Sequence, residues 1–113
     1  MLYFSSVKTQ PEPKKLVTKF IFGRQGKGLG EFMYPFSLAI KDNYLFVADS
    51  GNSRIQVLKI NPDGSLSPKL AFGRQGKGLG EFEFERFLSL AIKDNYLFVA
   101  DSGNSRIQVL KIN

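Results

Sequence analysis

Short apolar runs separated by turn residues recur in a fixed order along the chain. Residues 37–41 read SLAIK, 43–49 read NYLFVAD, 54–60 read RIQVLKI and 69–72 read KLAF. β-Branched and aromatic residues dominate these runs, and the segments between them (KDN, DSGNS and NPDGS) are typical of tight turns. No window places its apolar residues at helical spacing. The pattern therefore predicts four short strands, which we name A to D in chain order.

Most of this pattern occurs twice. FGRQGKGLGEF at 22–32 returns at 72–82, and SLAIKDNYLFVADSGNSRIQVLKIN at 37–61 returns at 89–113. Between these blocks the copies differ, since MYPF at 33–36 stands opposite EFERFL at 83–88. A repeat of about fifty residues suits propeller blades better than small helical repeats. Four antiparallel strands joined by tight turns make one blade of a β-propeller.

The repeat defines the expected domain organisation of an all-β protein. We expect an outer strand at 16–23, blade one at 36–73, and blade two at 87–113 without an outer strand of its own. Residues 16–113 would form this two-blade segment, and residues 1–15 a basic N-terminal arm. A chain of 113 residues is long enough for one small domain.

The segments GRQGKGLGEF and LFVADSGNSRIQVL, present in both copies, resemble the NHL repeat. The resemblance covers nearly everything from residue 16 onward. The second copy departs from the NHL pattern at EFERF, which replaces the YP turn of the first copy. It implies a β-propeller, most often six-bladed. It also implies binding functions, since NHL-like domains commonly bind proteins and some bind single-stranded RNA on a positive face. Related propellers include metal-dependent lyases and hydrolases.

Two residue types are missing from the composition. The chain has no Cys and no His, which excludes disulfides and thiolate metal sites and removes the usual general base and zinc ligand. We therefore expect a protein that is not an enzyme and has no cofactor or metal. The apolar runs are too short to span a bilayer, and the N-terminus does not read as a signal peptide. We expect a soluble, cytoplasmic protein with no membrane partner.

The positive charge is unevenly distributed. The chain carries a net +6, and residues 1–30 hold six basic side chains against one acidic side chain. Alternating strand direction places the D-to-A loop and the B-to-C turn on one face of the blades. That loop face is the candidate for binding an acidic protein or a phosphate backbone, and a solvated charged loop is the alternative. The candidate residues are Arg24, Gln25, Lys27, Asn52, Arg74, Gln75, Lys77 and Asn104.

Two charged pairs flank the DSGNSR turns. Asp49 with Arg54, and Asp101 with Arg106, could be acid and electrophile in a central channel. The interpretation we favour is structural, with charge-assisted hydrogen bonds that tie neighbouring blades together. The glycine of each DSGNS turn is predicted to adopt a positive φ angle, which glycine tolerates without steric cost. The glycine-rich loop lacks the GK[ST] signature and a following helix, so we interpret it as structural too.

The order of predicted strands is D, then A to D, then A to C. LVTKFIFG at 16–23 aligns with the outer strand because Phe22 matches Phe72. A free strand edge invites pairing with another chain, so the surplus strand of one copy could close the incomplete blade of the next. The closing residues would be Leu16, Val17, Phe20, Ile21 and Phe22. Head-to-tail contacts form rings if the rotation closes and open assemblies if it does not. Three two-bladed copies would close into a six-bladed C3 trimer.

Three functions remain open at this point. The first is a non-enzymatic interaction scaffold that assembles by inter-chain strand exchange. The second is binding of single-stranded RNA or another polyanion on the loop face. The third is an engineered or recently duplicated propeller fragment whose only function is assembly.

Overall fold

A computed structural model describes residues 12, 14–83 and 87–113, and it is all-β apart from two single-turn 3-10 helices. The predicted N-terminal arm at 1–15 and residues 84–86 of the EFERFL segment lie largely or wholly outside the described residues. Within the described part of the chain, no helix has the length and apolar character needed to cross a membrane. The strands are β1 (Pro35–Lys41), β2 (Tyr44–Asp49), β3 (Arg54–Ile60), β4 (Leu66–Phe72), β5 (Arg74–Gln75), β6 (Glu81–Phe82), β7 (Leu88–Lys93), β8 (Tyr96–Asp101) and β9 (Arg106–Lys111).

The strands pair in chain order, which confirms the predicted fold class. β1 to β4 form a four-stranded antiparallel sheet, blade one, and β7 to β9 form a three-stranded antiparallel sheet, blade two. The register of β7–β8–β9 repeats that of β1–β2–β3, except for an irregularity between Pro35 and Ser37 in β1. A second register shift, between Val57 and Leu58, lies within the pairing of β3 with β4. The predicted strands A to D of blade one therefore correspond to β1 to β4.

The predicted outer strand at 16–23 is not a strand in the single chain. Its residues belong to no sheet, and Leu16, Val17, Phe20 and Ile21 are exposed. The physical reason is that a strand exists only where a neighbour satisfies its N–H and C=O groups, and no described strand lies beside this segment. Two short elements were not expected: β5 and β6 pair in parallel within the second glycine-rich loop, and Gln25 and Phe32 make the matching bridge in the first.

Each blade has two faces, and the register identifies their rows. We call the row Leu38, Val47 and Gln56, with its copy Leu90, Val99 and Gln108, the leading face. We call the opposite face of each blade the trailing face. In blade one it consists of Ala39, Phe46 and Val57 with the adjoining Ala48 and Ile55, and in blade two of their copies.

The hydrophobic core lies between the two blades. Phe46, Ala48 and Ile55 from the trailing face of blade one pack with Leu90 and Val99 from the leading face of blade two. Burial of apolar surface at this contact is the main favourable term holding the blades together. The contact positions the glycine-rich loop and the 3-10 turn of each repeat on one face of the molecule.

Candidate functional site

The glycine-rich loops at 23–33 and 73–83 have matching backbone bonds. In the first, the Gly26 N–H donates to the Phe32 carbonyl at 3.1 Å, and the Glu31 N–H donates to the Gly28 carbonyl at 3.0 Å. In the second, the Gly76 N–H donates to Phe82 at 2.9 Å. Each loop is therefore a compact turn that presents several backbone carbonyls to the 3-10 turn beside it.

Asp49 is the centre of the first site. Its carboxylate is fully buried and accepts hydrogen bonds from the Met33 N–H at 2.7 Å, Asn52 Nδ2 at 3.0 Å, Arg54 Nε at 2.8 Å and Gln56 Nε2 at 3.1 Å. A buried carboxylate is tolerated when it is paired and hydrogen-bonded in this way. The four donors come from the loop, the 3-10 turn and β3, so this one carboxylate joins three segments.

Arg54 connects the carboxylate to the glycine-rich loop. Its Nη1 donates to the Lys27 carbonyl at 2.8 Å, and its Nη2 donates to the carbonyls of Gly28 at 2.8 Å and Glu31 at 3.0 Å. The planar guanidinium suits such a set of fixed acceptors better than a lysine would. Asn52 adds a bond from Nδ2 to the Gly26 carbonyl at 2.9 Å. We call this group of Asp49, Asn52, Arg54 and Gln56 the first clamp.

Gln56 is a member of the clamp that the sequence analysis did not identify. Its Nε2 donates to the Glu31 carbonyl at 2.5 Å, and its Oε1 accepts the Gly30 N–H at 2.9 Å. The signal was present: Gln56 is a polar residue inside RIQVLKI, in a row whose other members are apolar. A fully buried amide in such a row must find both a donor and an acceptor nearby.

The second clamp repeats the first with Asp101, Asn104, Arg106 and Gln108. Arg106 Nε donates to Asp101 Oδ2 at 3.0 Å, and its Nη groups donate to the carbonyls of Lys77, Gly78 and Glu81 at 2.6, 2.7 and 2.9 Å. The loop that it holds leaves β4 of blade one and leads to β7 of blade two. The clamp therefore fixes the connection between the two blades. Asp49, Arg54 and their copies bond to one another, to neighbouring clamp side chains and to loop backbone groups, and none of these contacts requires a substrate.

The turn glycine has a different role from the one predicted. The positive φ of the turn falls on Ser53 at 50°, and on Ser105 at 54° in the second copy, whereas Gly51 is not among the residues with positive φ. Gly51 lies in the 3-10 helix Ser50–Asn52, where a Cβ atom would meet both Cγ and the carbonyl oxygen of Met33 at 2.7 Å. A side chain at residue 51 is excluded by the backbone of the clamped loop, not by φ.

The predicted loop face divides into residues that are used internally and residues that are exposed. The amides of Asn52 and Asn104 are bound within the clamps. Arg24 is paired with Glu31 at 2.8 Å, and Arg74 with Glu81 at 2.9 Å. Both of these arginine side chains are nevertheless 82% exposed, and Gln25, Lys27, Gln75 and Lys77 are exposed as well.

Glu31 and Glu81 also close the glycine-rich loops. The N–H of Gly28 donates to Glu31 Oε1 at 2.9 Å. This bond, and after it the Arg24 guanidinium, holds the pKa of the Glu31 carboxyl below its usual value. The Gly78 N–H and then Arg74 lower the pKa of Glu81 in the same way. The loop face is therefore less positive than its arginines suggested, because each arginine has an ionised partner.

The predicted closing residues lie along one exposed segment. Leu16 and Ile21 are almost fully exposed, and Val17 and Phe20 are exposed as well. Phe22 is half-buried and meets Phe32 edge-on, with ring centroids 6.3 Å apart. Phe22 thus anchors the segment to its loop and leaves the other four apolar side chains in solvent.

Comparison with protein families identifies a repeat in both halves of the chain. The model of the LVIVD repeat, a repeat of β-propeller type related to NHL-like repeats, matches residues 36–55 and 88–107. The matched segments run from the innermost strand of each blade through the 3-10 turn to the start of β3 or β9. No curated protein matches the chain.

Proposed function

We propose that this chain is a non-enzymatic, NHL-like β-propeller scaffold whose copies assemble by exchanging an outer strand, and whose loop face binds a partner. One observation carries the proposal. The apolar segment at 16–22 has no partner in the described sheets, and the outer edge of β9 pairs with no described strand. β9 has the sequence of β3, whose outer edge pairs with β4 in blade one. The charged residues of the clamps support a structural role, because each is bound to loop backbone.

The segment at 16–22 enters its loop as β4 does. A Cβ atom at Gly30 would lie 3.4 Å from Cζ of Phe22, and one at Gly80 would lie 3.0 Å from Cζ of Phe72. The two phenylalanines therefore pack over corresponding glycines of the two loops. An outer strand that leads into this loop, as β4 does, is the structure that the segment would adopt beside a free edge.

The register of blade one gives the register of the exchanged strand. In blade one, Ile55 is opposite Phe72 and Val57 is opposite Leu70. Carried over to the copies, these pairs place Phe22 of one chain opposite Ile107 of another, and Phe20 opposite Val109. Cross-strand pairs of aromatic and β-branched residues stabilise antiparallel sheets.

An apolar groove lies where the exchanged strand would run. Its volume is about 700 Å³, and it opens between the trailing face of blade one and the outer part of blade two. The carried-over register puts Ile21 beside Gln108 and Leu16 beside Ile112, on the leading face of blade two. Leu16 and Ile21, the two most exposed side chains of the segment, would thus enter the groove. The groove is lined by Tyr44, Phe46, Ile55, Val57, Lys69, Leu70, Phe72, Leu97, Leu110, Lys111, Ile112 and Asn113.

Engineered cysteines test the exchange directly, since the chain has none of its own. We expect Phe20→Cys combined with Val109→Cys to form disulfides between chains, seen as ladders on a non-reducing gel, because facing Cβ atoms in antiparallel strands can approach disulfide distance. The matched control is Val57→Cys with Leu70→Cys, which closes within one chain. A control that closes while the test pair stays reduced would contradict the exchange.

The number of blades in the closed assembly follows from the number of copies. Propellers close with about four to eight blades, and three copies give the six blades that NHL-like propellers most often have. Native mass spectrometry measures the count, with the mass of three chains as the expected result. A mass of two or four chains would replace the trimer but keep the exchange, and a mass of one chain would contradict assembly.

The partner site of this scaffold is the loop face. In each loop Arg24 and Lys27, or Arg74 and Lys77, stand against one glutamate, so each repeat adds one net positive charge there. Repetition around a ring would make a belt of lysines suited to an acidic protein surface. We expect polyglutamate to bind in low salt, measured by fluorescence anisotropy, and the binding to weaken in Lys27→Ala/Lys77→Ala. Tighter binding of single-stranded RNA than of polyglutamate would favour RNA binding over an acidic protein partner.

A further inference from the structure

The two blades of one chain leave opposite faces uncovered. Leu90, on the leading face of blade two, is 9% exposed, whereas its copy Leu38 on blade one is 62% exposed. On the trailing face the order reverses, since Ile55 of blade one is buried and its copy Ile107 is exposed. Each chain thus contains one buried contact between a trailing and a leading face. It also exposes the trailing face of blade two around Ile107 and the part of the leading face of blade one around Leu38 and Ile40, whereas Val47 on that leading face is already buried.

We infer that a second copy of this chain covers these faces, with the leading face of blade one docking on the trailing face of blade two of its neighbour. The contact inside the chain is the template. Most residues that would meet across the new contact are identical to those that meet across the old one, because Leu38 copies Leu90 while Phe98 and Ile107 copy Phe46 and Ile55. The exception is Leu88, whose copy is Phe36. Two surfaces that fit within the chain will therefore fit between chains.

Two serine hydroxyls give the template contact its direction and register. The Leu88 N–H donates to Ser50 Oγ at 3.0 Å, and the Leu90 N–H donates to Ser37 Oγ at 3.1 Å. Both bonds run from the innermost strand of blade two to blade one. They satisfy edge N–H groups that would otherwise lack a partner beside an apolar contact.

The copies of these serines are exposed in the single chain. Ser89 corresponds to Ser37 and Ser102 to Ser50, and both are accessible, whereas Ser50 is buried. In the docked pair the Ser89 hydroxyl accepts the N–H of Leu38 from the next copy, and Ser102 accepts the N–H of Phe36. An uncommitted hydroxyl at each position is what a repeated contact requires, and it favours a second copy over an unrelated apolar partner.

This inference rests on the proposed function, because docking of the faces and exchange of the outer strand are parts of one head-to-tail contact. The contact joins two different surfaces, so it is heterologous and propagates from copy to copy until a ring closes. The exchanged strand covers the outer part of blade two, and the face contact covers the inner part. The two can nevertheless be measured separately.

Mixed single-cysteine variants test the face contact. Leu38→Cys and Ser89→Cys are purified separately, mixed, allowed to exchange subunits by dilution and reconcentration, and treated with a short bismaleimide. We expect a two-chain product in the mixture and little in either variant alone. The matched control is Ser37→Cys with Leu90→Cys in one chain, which the 3.1 Å bond brings together and which links internally.

The outcomes separate this inference from the strand exchange. If the Phe20/Val109 disulfide forms but the mixed Leu38/Ser89 product does not, exchange stands and the face contact is wrong. If the mixed product forms and the disulfide does not, the face contact stands without exchange. A product formed by Leu38→Cys alone would show two leading faces meeting, which also overturns the inference.

Removing a serine hydroxyl gives a second, quantitative readout. Ser89→Ala deletes a bond between copies, so we expect the dissociation constant of the assembly to rise about fivefold to tenfold, the effect of one hydrogen bond. Ser37→Ala deletes the matching bond inside the chain and is expected to lower the unfolding midpoint of dissociated chains, whereas Ser89→Ala leaves that midpoint unchanged. A dissociation constant unchanged by Ser89→Ala in sedimentation velocity contradicts the bond.

Discussion

Blade one and blade two share their sequence in strands A to C but not their environment. Ile55 is 1% exposed and Ile107 is 69% exposed, although the residues around both are the same for many positions in either direction. The difference arises because Ile55 has blade two beside it, and Ile107 faces solvent in the single chain. At this pair of positions, burial is therefore set by which blade lies next to the residue, not by the local sequence.

The clamps behave in the opposite way. Both buried aspartates accept bonds from a loop N–H, the turn asparagine and the clamp arginine, and both arginines bind the same three loop carbonyls. All members of a clamp lie within one repeat, counting the loop that enters it, so a neighbouring blade is not needed. The comparison separates a local polar framework from a core that depends on the next repeat.

Removal of a clamp arginine is expected to have the largest effect. Arg54→Ala leaves the Asp49 carboxylate buried without its ion-pair partner, which costs about 3–5 kcal/mol and would unfold a chain of ordinary stability partly or fully. Arg106 is 31% exposed against 14% for Arg54, so water can replace more of its bonds. We expect Arg106→Ala to cost less than Arg54→Ala in urea unfolding.

The control for this comparison is Lys27→Ala. Lys27 is exposed and contributes only its backbone carbonyl to the clamp. Lys27→Ala should therefore change the free energy of unfolding by less than about 0.5 kcal/mol. Equal losses in Arg54→Ala and Lys27→Ala would mean that the clamp is not what holds the loop.

Truncation of the paired isoleucines sharpens the contrast between the blades. Ile55→Ala opens a cavity between the blades and is expected to cost about 2–5 kcal/mol at any protein concentration. Ile107→Ala should cost less than about 0.5 kcal/mol in dilute, dissociated protein, as surface substitutions do. Because assembly would cover Ile107, its cost should rise with protein concentration. Urea midpoints over a wide concentration range measure both, and a cost for Ile107→Ala that never changes would contradict assembly.

The sequence predicts the strands well because their pattern is local. RIQVLKI and NYLFVAD are bounded by turns that permit few conformations. β1 to β4 contain the four predicted runs, although β4 begins at Leu66, three residues before KLAF. The segment at 16–23 has an equally good strand pattern and forms no strand in the single chain. Its pairing depends on a partner that is remote from it, and no local pattern reports whether that partner is present.

Within the candidate site, residue type predicted the charged pair but not the whole clamp. Asp49 and Arg54 attract attention as opposite charges beside a turn. Gln56 was missed because two of its three partners, at Gly30 and Glu31, are backbone groups twenty-six and twenty-five residues away. The role of Gly51 was misread for a similar reason, since the atom that excludes a side chain there belongs to Met33. Contacts to backbone carry no residue signature, so the sequence marks Gln56 as a polar residue in an apolar row but does not show which groups it binds.

Acidification should weaken the loops of both blades to a smaller and similar extent. The Gly28 and Gly78 N–H groups, followed by Arg24 and Arg74, lower the pKa of Glu31 and Glu81 in the folded chain. A carboxyl whose folded pKa is lowered contributes stability above its ordinary value of 4.5 and loses it as pH falls through the folded value. We expect the urea concentration at the unfolding midpoint to decrease as the pH is lowered below 4.5. This decrease should be smaller in Glu31→Gln/Glu81→Gln.

Asp63 provides the control for this pH dependence. The hydroxyl and N–H of Ser65 lower the pKa of Asp63 as well, but this residue lies in the turn between β3 and β4, outside the glycine-rich loops. Asp63→Asn should remove only the contribution of Asp63 to the loss of stability at acid pH and leave the contribution of Glu31 and Glu81. A slope unchanged in the double glutamate variant would mean that the loops are held without these ionised carboxylates.

The smallest expected effect concerns the serine that carries the positive φ of each turn. Ser53 is fully buried and, among the described residues, its hydroxyl has no hydrogen-bond partner, whereas Ser105 is exposed. Ser53→Ala keeps the Cβ atom and removes a desolvated hydroxyl. We therefore expect the free energy of unfolding, measured by thermal denaturation, to increase by up to about 1 kcal/mol. Ser105→Ala should change little, because water already solvates that hydroxyl. A loss in Ser53→Ala would mean that the buried hydroxyl is bound after all, and the two turns would then differ in bonding as well as in burial.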